Sequence, residues 1–306
     1  MLTRIVNNQS DKLEPVTLQR WTFTVDAAEA GLRLDQLIAA RTDLSRRQAR
    51  EALQLGGVQV ARKRVRVAGK VIAPGTEVRV AFDPDLPPPP EMAIPIVFED
   101  AHLLAVDKPA GIPTQGTWAT DQHDLLALLR KQRPDLKLFL HHRLDLGTSG
   151  LLVFAKDPKA NPSLTKQFTE GGVRKTYLAR ISEPLAPCTV DKPIGRLRHA
   201  HPGRFGCAGD LIEPKASRTD FETAPDDLLA SLEGGHWIVA NPRTGRTHQI
   251  RVHLASLGRP IFGDGLYGGA SSDRLWLHAW KLSLTHPITG APLELEAPPA
   301  RFRRSA

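Results

Sequence analysis

Apolar positions recur first at helical spacing and then in strand-like alternation. Leu34, Leu37 and Ile38 predict one short helix, and Ala49 with Leu53 predicts a second. Ser45, directly before Arg46-Arg47-Gln48, reads as the N-cap of the second helix, and Gly56-Gly57 as its end. Val58-Gln59-Val60 and Val65-Arg66-Val67 then alternate as short strands, Pro74-Gly75 makes a turn, and Thr76–Val80 is a further strand. Pro87 to Pro90 are four consecutive prolines, which fit neither a helix nor a central strand. They favour extended polyproline II and predict a spacer. From Ile94 onward strand-like and helix-like patterns alternate to the end, without an internal repeat.

These patterns divide the 306 residues into a flexible lead-in (1–20), a compact unit (21–82), a proline-rich linker (83–93) and a larger domain (94–306). An apolar content of 41% and a charged content of 24% are ordinary for a soluble globular protein. The net charge of +8 is not, and it favours a polyanionic partner, nucleic acid or an acidic membrane face. Cys188 and Cys207 are the only cysteines, which excludes a disulfide framework and a cysteine-rich zinc site. The first fifteen residues lack the apolar core of a signal peptide, and no apolar run approaches the roughly 20 residues that span a bilayer. A cytoplasmic protein without membrane contact is expected.

Between residues 46 and 66 the cations Arg46, Arg47, Arg50, Arg62, Lys63, Arg64 and Arg66 face a single acid, Glu51. On a helix and an adjoining turn they would make one basic face for a phosphate backbone. The chemistry-bearing stretch is His142-Arg143-Leu144-Asp145-Leu146-Gly147-Thr148-Ser149-Gly150, which runs into the apolar strand Leu151–Ala155. A carboxylate at the mouth of a buried strand is costly to ionise without a cation facing it. Such a cation is available at Asn241–His253, where Thr247 is expected to cap a helix with Ile250, Leu254 and Leu257 on its apolar stripe and Gly258 at its end. Arg246, His248 and Arg251 crowd the start of that helix, against the macrodipole, so a carboxylate or phosphate is expected opposite them. His248 and His253 lie off one helical face, and no metal is expected there or at His199, His201 and Cys207.

The stretch HRLDLGTSGLLVFA resembles the catalytic motif of the RluA-type RNA pseudouridine synthases, HRLD, two variable residues, then TSG. GRTHQIRVHLASLGRPIFGDGLYGG resembles the second strong motif of that family, and Arg174–Arg180 its K-x-Y-x-A strand. Asp107-Lys108-Pro109-Ala110-Gly111 resembles the first motif and is read as fold-forming. Residues 33–78 resemble the small alpha-L RNA-binding module, with Ala61-Arg62-Lys63-Arg64 in place of its usual asparagine-glycine turn.

The resemblance implies an α+β catalytic domain on a mixed, mostly antiparallel sheet flanked by helices, plus a small N-terminal α/β RNA-binding module. It implies isomerisation of uridine to pseudouridine in structured RNA, with large-subunit rRNA favoured over tRNA, by a monomer without cofactor or metal. Asp145 is then the nucleophile or the C2′ base. Tyr177 stacks on the flipped uracil and relays the proton from carbon 5. Arg251 pairs with Asp145 and fixes its direction, Arg143 fills the vacated space, and Ile250 packs beneath the base. RNA binding falls to Arg46, Arg47, Arg50, Arg62, Lys63, Arg64, Arg246 and His248. The competing reading is a non-catalytic RNA-binding or ribosome-assembly factor on the same fold.

Overall fold

The computed structural model describes residues 18–200, 203–232 and 234–299. Residues 1–17 of the expected lead-in lie outside the described residues. The chain divides into two units, Met1–Ala93 with Gln115–Gln132, and Ile94–Thr114 with Arg133–Ala306.

In the first unit, β1 (Gln19–Thr24), β2 (Val58–Val60), β3 (Lys63–Arg64) and β4 (Glu77–Phe82) form an antiparallel sheet in the order β1-β4-β2-β3. Two helices, α1 (Leu34–Arg41) and α2 (Arg46–Leu55), share its core of Trp21, Phe23, Leu34, Leu37, Ile38, Leu53, Val58, Val78 and Val80. The predicted caps hold: the Ser45 side chain accepts from the Gln48 N–H, and Gly56 ends α2 in the left-handed region at φ +86°. β1 begins inside the expected lead-in, because Trp21 and Phe23 alternate with exposed neighbours and bury their side chains.

The strand expected at Val65–Val67 is instead Lys63–Arg64. A two-residue turn sets that register, with Ala61 at φ +47° and Arg62 at φ +65°. Two positive φ values make the mirror-image turn that suits a tight hairpin, a job Asn-Gly performs with less strain. Gln115–Gln132, read from the sequence as part of the larger domain, packs with this unit and carries α3 (Leu125–Gln132).

The second unit contains β5 (Ile96–Glu99), β6 (Leu103–Lys108), β7 (Phe139–Leu140), β8 (Ser149–Ala155), α4 (Asn161–Glu170), β9 (Arg174–Ile181), β10 (Cys188–Asp191) and β11 (Ile194–Leu197). It continues with β12 (Phe205–Gly206), β13 (Leu211–Lys215), β14 (Arg218–Thr223), α5 (Asp226–Ser231), β15 (His236–Pro242), α6 (Gln249–Ser256), β16 (Leu277–Thr285) and β17 (Pro292–Glu296). The main sheet runs β10-β14-β15-β9-β16-β8-β6-β5, with β17 on β16 and β7 on β8. A small second sheet has the order β12-β11-β13.

All pairings in the main sheet are antiparallel except β8 with β16, so this is the mixed, mostly antiparallel sheet expected. All seven residues of β8 are buried, which explains its unbroken apolar run. Gly150 sits at φ +111°, where a Cβ would lie 2.3 Å from the Ala279 carbonyl oxygen. Only glycine lets β8 and β16 close there, and that contact fixes where the preceding loop emerges.

Candidate active site

Asp145 begins a tight turn just ahead of β8, closed by the Thr148 N–H donating to the Asp145 carbonyl at 3.1 Å. Lys108 of the first motif and Thr114 just beyond it clamp this loop. The Thr114 hydroxyl donates to the Leu144 carbonyl at 2.8 Å and accepts from the Leu144 N–H at 3.1 Å. The Lys108 ammonium, fully buried, donates to the carbonyls of Pro109 (2.9 Å), Ile112 (2.7 Å) and Leu146 (3.3 Å). Burial pulls its pKa down to about 7, while the Asp145 carboxylate favours its charged form. Lys108 therefore fixes the loop that carries Asp145, a role the sequence reading did not give it.

On the other side the His142 ring stacks on Phe168, centroids 4.3 Å apart, and its Nε2 accepts from the Val153 N–H at 3.0 Å. Burial pushes this imidazole down to about 3, so it stays neutral and serves as an acceptor.

Helix α6 supplies the cation. Its N-cap is His248 rather than the expected Thr247, and His248 takes a left-handed conformation at φ +57°. The cause is Gln249, whose buried amide oxygen accepts from the Arg246 N–H (3.0 Å) and the Thr244 hydroxyl (2.6 Å). Its amide nitrogen donates to the Arg218 carbonyl (2.9 Å) and the Thr219 hydroxyl (3.0 Å), which anchors the whole approach to the helix.

The expected carboxylate opposite the basic helix start is present. Arg251 Nη1 donates to Asp145 Oδ2 at 3.3 Å, and His248 Nε2 lies 3.9 Å from the same oxygen. A second carboxylate, absent from the sequence reading, holds Arg251 more tightly. Asp264 accepts from Nε and Nη2, both at 2.8 Å, and its side chain is 1% exposed. Burial works against the Arg251 charge, but Asp264 and then Asp145 hold its pKa above the ordinary value.

Asp264 is aimed by Gly263, at φ +75°, where a Cβ would lie 1.7 Å from the Arg274 carbonyl oxygen. An acid between Gly263 and Gly265 in the second motif was the available signal. Tyr267 completes the surround: its ring lies 5.0 Å from the Arg251 guanidinium, and its hydroxyl meets His248 Nδ1 at 2.9 Å.

These groups converge on a cavity of about 280 Å³, lined among others by Arg143, Asp145, Tyr177, Arg246, His248, Ile250 and Arg251. Tyr177, on β9 between Ala240 and Ala279, has its phenol pKa raised by burial and then by the Asp145 charge. Arg143 is exposed at the rim, and among the described residues it forms no ion pair with Asp145. Arg246 Nε donates to the Ala216 carbonyl at 3.0 Å. Lys175 also lines the cavity and was not singled out from sequence; burial lowers its pKa.

The other predicted cations belong to the first unit. Arg47, Arg62 and Lys63 are exposed. Arg50 and Arg33 bond the fully buried Asp35 at 2.8 and 3.2 Å, with Arg46 at 3.7 Å, so this acid orients part of the basic face. Burial pushes the Asp35 carboxyl up, but the hydrogen bonds from Arg50 and Arg33 bring it below its ordinary value. Arg64 departs from the expectation. Its guanidinium bonds the carbonyls of Gly56 and Thr117 and lies 3.7 Å from Asp121, so it turns toward protein rather than solvent.

Among the described residues no group of three or more His, Cys, Asp or Glu could hold a metal ion, and His201 lies outside them. His253 is buried against Ser217, Thr219 and the Lys192 carbonyl. Among the described residues no helix is long and apolar enough to cross a membrane.

Residues 102–256 match the family profile for RNA pseudouridylate synthase, and residues 32–78 match the S4 domain. The chain is 35% identical to ribosomal large subunit pseudouridine synthase D of Nitrosomonas europaea, over 90% of this chain and 83% of the relative. It is 36% identical to the dual-specificity RNA pseudouridine synthase RluA of Vibrio vulnificus, over 65% of this chain and 81% of the relative. Among solved structures, human RNA pseudouridylate synthase domain containing 1 superposes with a TM-score of 0.58 at 29% identity, over 70% of this chain and 86% of the human one. With the loop of Asp145 and the helix of Arg251 both inside the matched region, the chain belongs to the RNA pseudouridylate synthase family and carries an S4 domain.

Proposed function

We propose that this protein converts uridine to pseudouridine in structured RNA, with large-subunit rRNA as its substrate, and that Asp145 carries the reaction. The observation behind this is one cavity in which Asp145, held by Arg251, shares its walls with Tyr177 and Ile250. In the isomerisation the bond from ribose C1′ to uracil N1 breaks, the base turns, and C1′ bonds to C5. The C5 proton leaves and N1 gains one. The change is redox-neutral, so one carboxylate and a proton relay suffice, without metal or cofactor. Asp145 serves as nucleophile or as C2′ base.

The raised pKa of Tyr177 keeps its phenol protonated. It therefore takes the C5 proton only by passing its own on in the same step, which makes it a relay. Extruding the uridine costs a few kcal/mol, and the exposed Arg143 at the rim fills the vacated space as a planar cation. Ile250, 5% exposed, forms the apolar floor on which the base lies. Arg246 and the exposed Arg46, Arg47, Arg50, Arg62 and Lys63 attract phosphates. An rRNA substrate puts the protein in the cytoplasm, and a monomer is part of the same reading.

Two features favour rRNA. The relative matched over 90% of this chain is named for the ribosomal large subunit, whereas the dual-specificity relative matches over 65%. The test is tritium release from total RNA labelled at uracil carbon 5, prepared from cells lacking the enzyme. Release by wild type but not by Asp145→Ala is expected, and it should follow the large-subunit rRNA on fractionation. Tight, salt-sensitive RNA binding by both proteins without release would overturn the catalytic reading.

A further inference from the structure

The hydrogen bonds around Tyr267 fix the protonation of His248. The Tyr267 hydroxyl accepts from the Phe205 backbone N–H at 3.1 Å and meets His248 Nδ1 at 2.9 Å. A backbone N–H can only donate, so the phenol's own proton has Nδ1 as its acceptor among the described residues. Burial pushes the Tyr267 phenol up to about 12, so that proton is present throughout the neutral range. Nδ1 is then unprotonated and Nε2 carries the hydrogen. Nε2 faces the cavity, 3.9 Å from Asp145 Oδ2, the oxygen that also receives Arg251 Nη1. Among the described residues Asp145 Oδ1 has no hydrogen-bond donor.

We propose that His248 is a positioning residue: its Nε2–H closes on Asp145 Oδ2 when RNA binds, so that Arg251 and His248 together tether Oδ2 and leave Oδ1 to react. This rests on Asp145 being the reacting group. The closure needed is roughly 1 Å, within what a site tightens on forming its substrate complex. It also changes the part assigned to His248 from sequence, where it was expected to bind RNA directly.

The groups facing His248 support a neutral imidazole. Asp145 and Asp264 favour its protonated form, Arg251 and Arg143 oppose it, and burial outweighs them to hold its pKa below the ordinary value. An imidazolium would have to donate from Nδ1 as well, leaving the proton of Tyr267, a residue 9% exposed, without an acceptor. The Phe205 ring, edge-on to His248 with centroids 5.7 Å apart, belongs to β12 of the small second sheet. The same sheet thus supplies both the backbone N–H that orients Tyr267 and a wall for the imidazole.

The experiment compares His248→Ala, His248→Gln and Tyr267→Phe with wild type, using carbon-5-tritiated total RNA in single-turnover release and filter binding of the same RNA. His248→Ala should slow the step at saturating RNA by about 10- to 100-fold, with RNA affinity within about threefold. His248→Gln, which restores an N–H near the Nε2 position, should recover most of that loss. Tyr267→Phe keeps the ring under Arg251 but frees Nδ1. Its neutral imidazole can then carry the hydrogen on Nδ1 and turn a lone pair toward Asp145, so its saturating rate should fall several-fold below wild type and recover on acidification, which puts an N–H on both nitrogens.

Weakened RNA affinity with an unchanged saturating rate in His248→Ala would make His248 a phosphate ligand and overturn the proposal. So would a Gln variant that folds but is no faster than the Ala variant, or a Tyr267→Phe pH profile like that of wild type. Asp145→Ala run alongside separates the two failures. An active Asp145→Ala sinks the reading of Asp145 itself, whereas an inactive one with a fully active His248→Ala sinks only the role of His248.

Discussion

The pairing of two carboxylates on one buried arginine predicts that they fail differently when neutralised. Asp264 makes two 2.8 Å bonds to Arg251, and Asp145 one of 3.3 Å. Asp264→Asn keeps the shape and one acceptor but sets an amide N–H against a guanidinium N–H. One charge-assisted bond is lost, about 1.5–3 kcal/mol. The guanidinium, 11% exposed, also loses the nearer of its two counter-charges. Deleting a partner of a buried pair outright costs about 3–5 kcal/mol, and Asn retains part of it, which leaves about 2–4 kcal/mol. At about 2–4 °C per kcal/mol, the second unit should melt about 4–16 °C lower.

Nη1 is then no longer aimed at Asp145, and an ångström of drift in a reacting group costs on the order of 100-fold in rate. Asp145→Asn should do the reverse. Its side chain is 22% exposed and Arg251 keeps both bonds to Asp264, so stability changes by less than about 1 kcal/mol while turnover is lost. Calorimetry and single-turnover tritium release on the two variants decide the matter. Asp264→Asn melting within about 2 °C of wild type and turning over within about threefold would refute the idea that Asp264 aims Arg251.

Lys108→Met fills the same volume but strands the carbonyls of Pro109 and Ile112, so a loss of about 2–5 kcal/mol and a slower reaction at unchanged RNA affinity are expected. Wild-type stability by denaturant titration would count against the clamp. Arg62→Gly relieves a left-handed arginine and should stabilise the first unit by about 1 kcal/mol. Because it also removes a phosphate cation, the slope of log affinity on log salt should shrink by about 1, and an unchanged slope would remove Arg62 from the RNA face. His142 has a folded pKa of about 3 against an unfolded value near 6.5, so the unfolded chain binds the extra proton between those limits. Stability is then unaffected above pH 6.5 and falls on acidification, by up to about 1.4 kcal/mol per pH unit for this group. His142→Gln should make the acid limb shallower between about pH 6 and 4; an identical limb would show that His142 is not buried neutral.

Asp145 and Arg251 were legible because each lies in a contiguous stretch whose local chemistry is unusual: an acid at the mouth of an apolar strand, and cations at the wrong end of a helix. Lys108 and Asp264 were not. A lysine at a strand end before proline reads as fold-forming and an acid between glycines carries no pattern of its own, and the burial of both depends on strands distant in sequence. β16, which closes on Gly150, lies more than a hundred residues beyond it. The short strand β3 escaped for a different reason. Two residues carry no periodicity, so Val65–Val67 fitted the alternation better, whereas the register is set by the left-handed Ala61-Arg62 turn.

The basic run illustrates the same limit in electrostatics. Counting cations in the sequence made one continuous face. In the structure Arg64 is spent on backbone carbonyls and Arg46 and Arg50 are oriented by Asp35, an acid eleven positions before the run. Charge near Asp145 obeys that logic more strictly. Arg251 reaches Asp145 with one nitrogen because Asp264 occupies two others, and His248 presents an N–H because Tyr267 occupies its second nitrogen. A guanidinium or imidazole free to rotate would follow the carboxylate as its charge changed during reaction. Held from behind by Asp264 and Tyr267, these donors stay where the transition state needs them, and the carboxylate must do the moving.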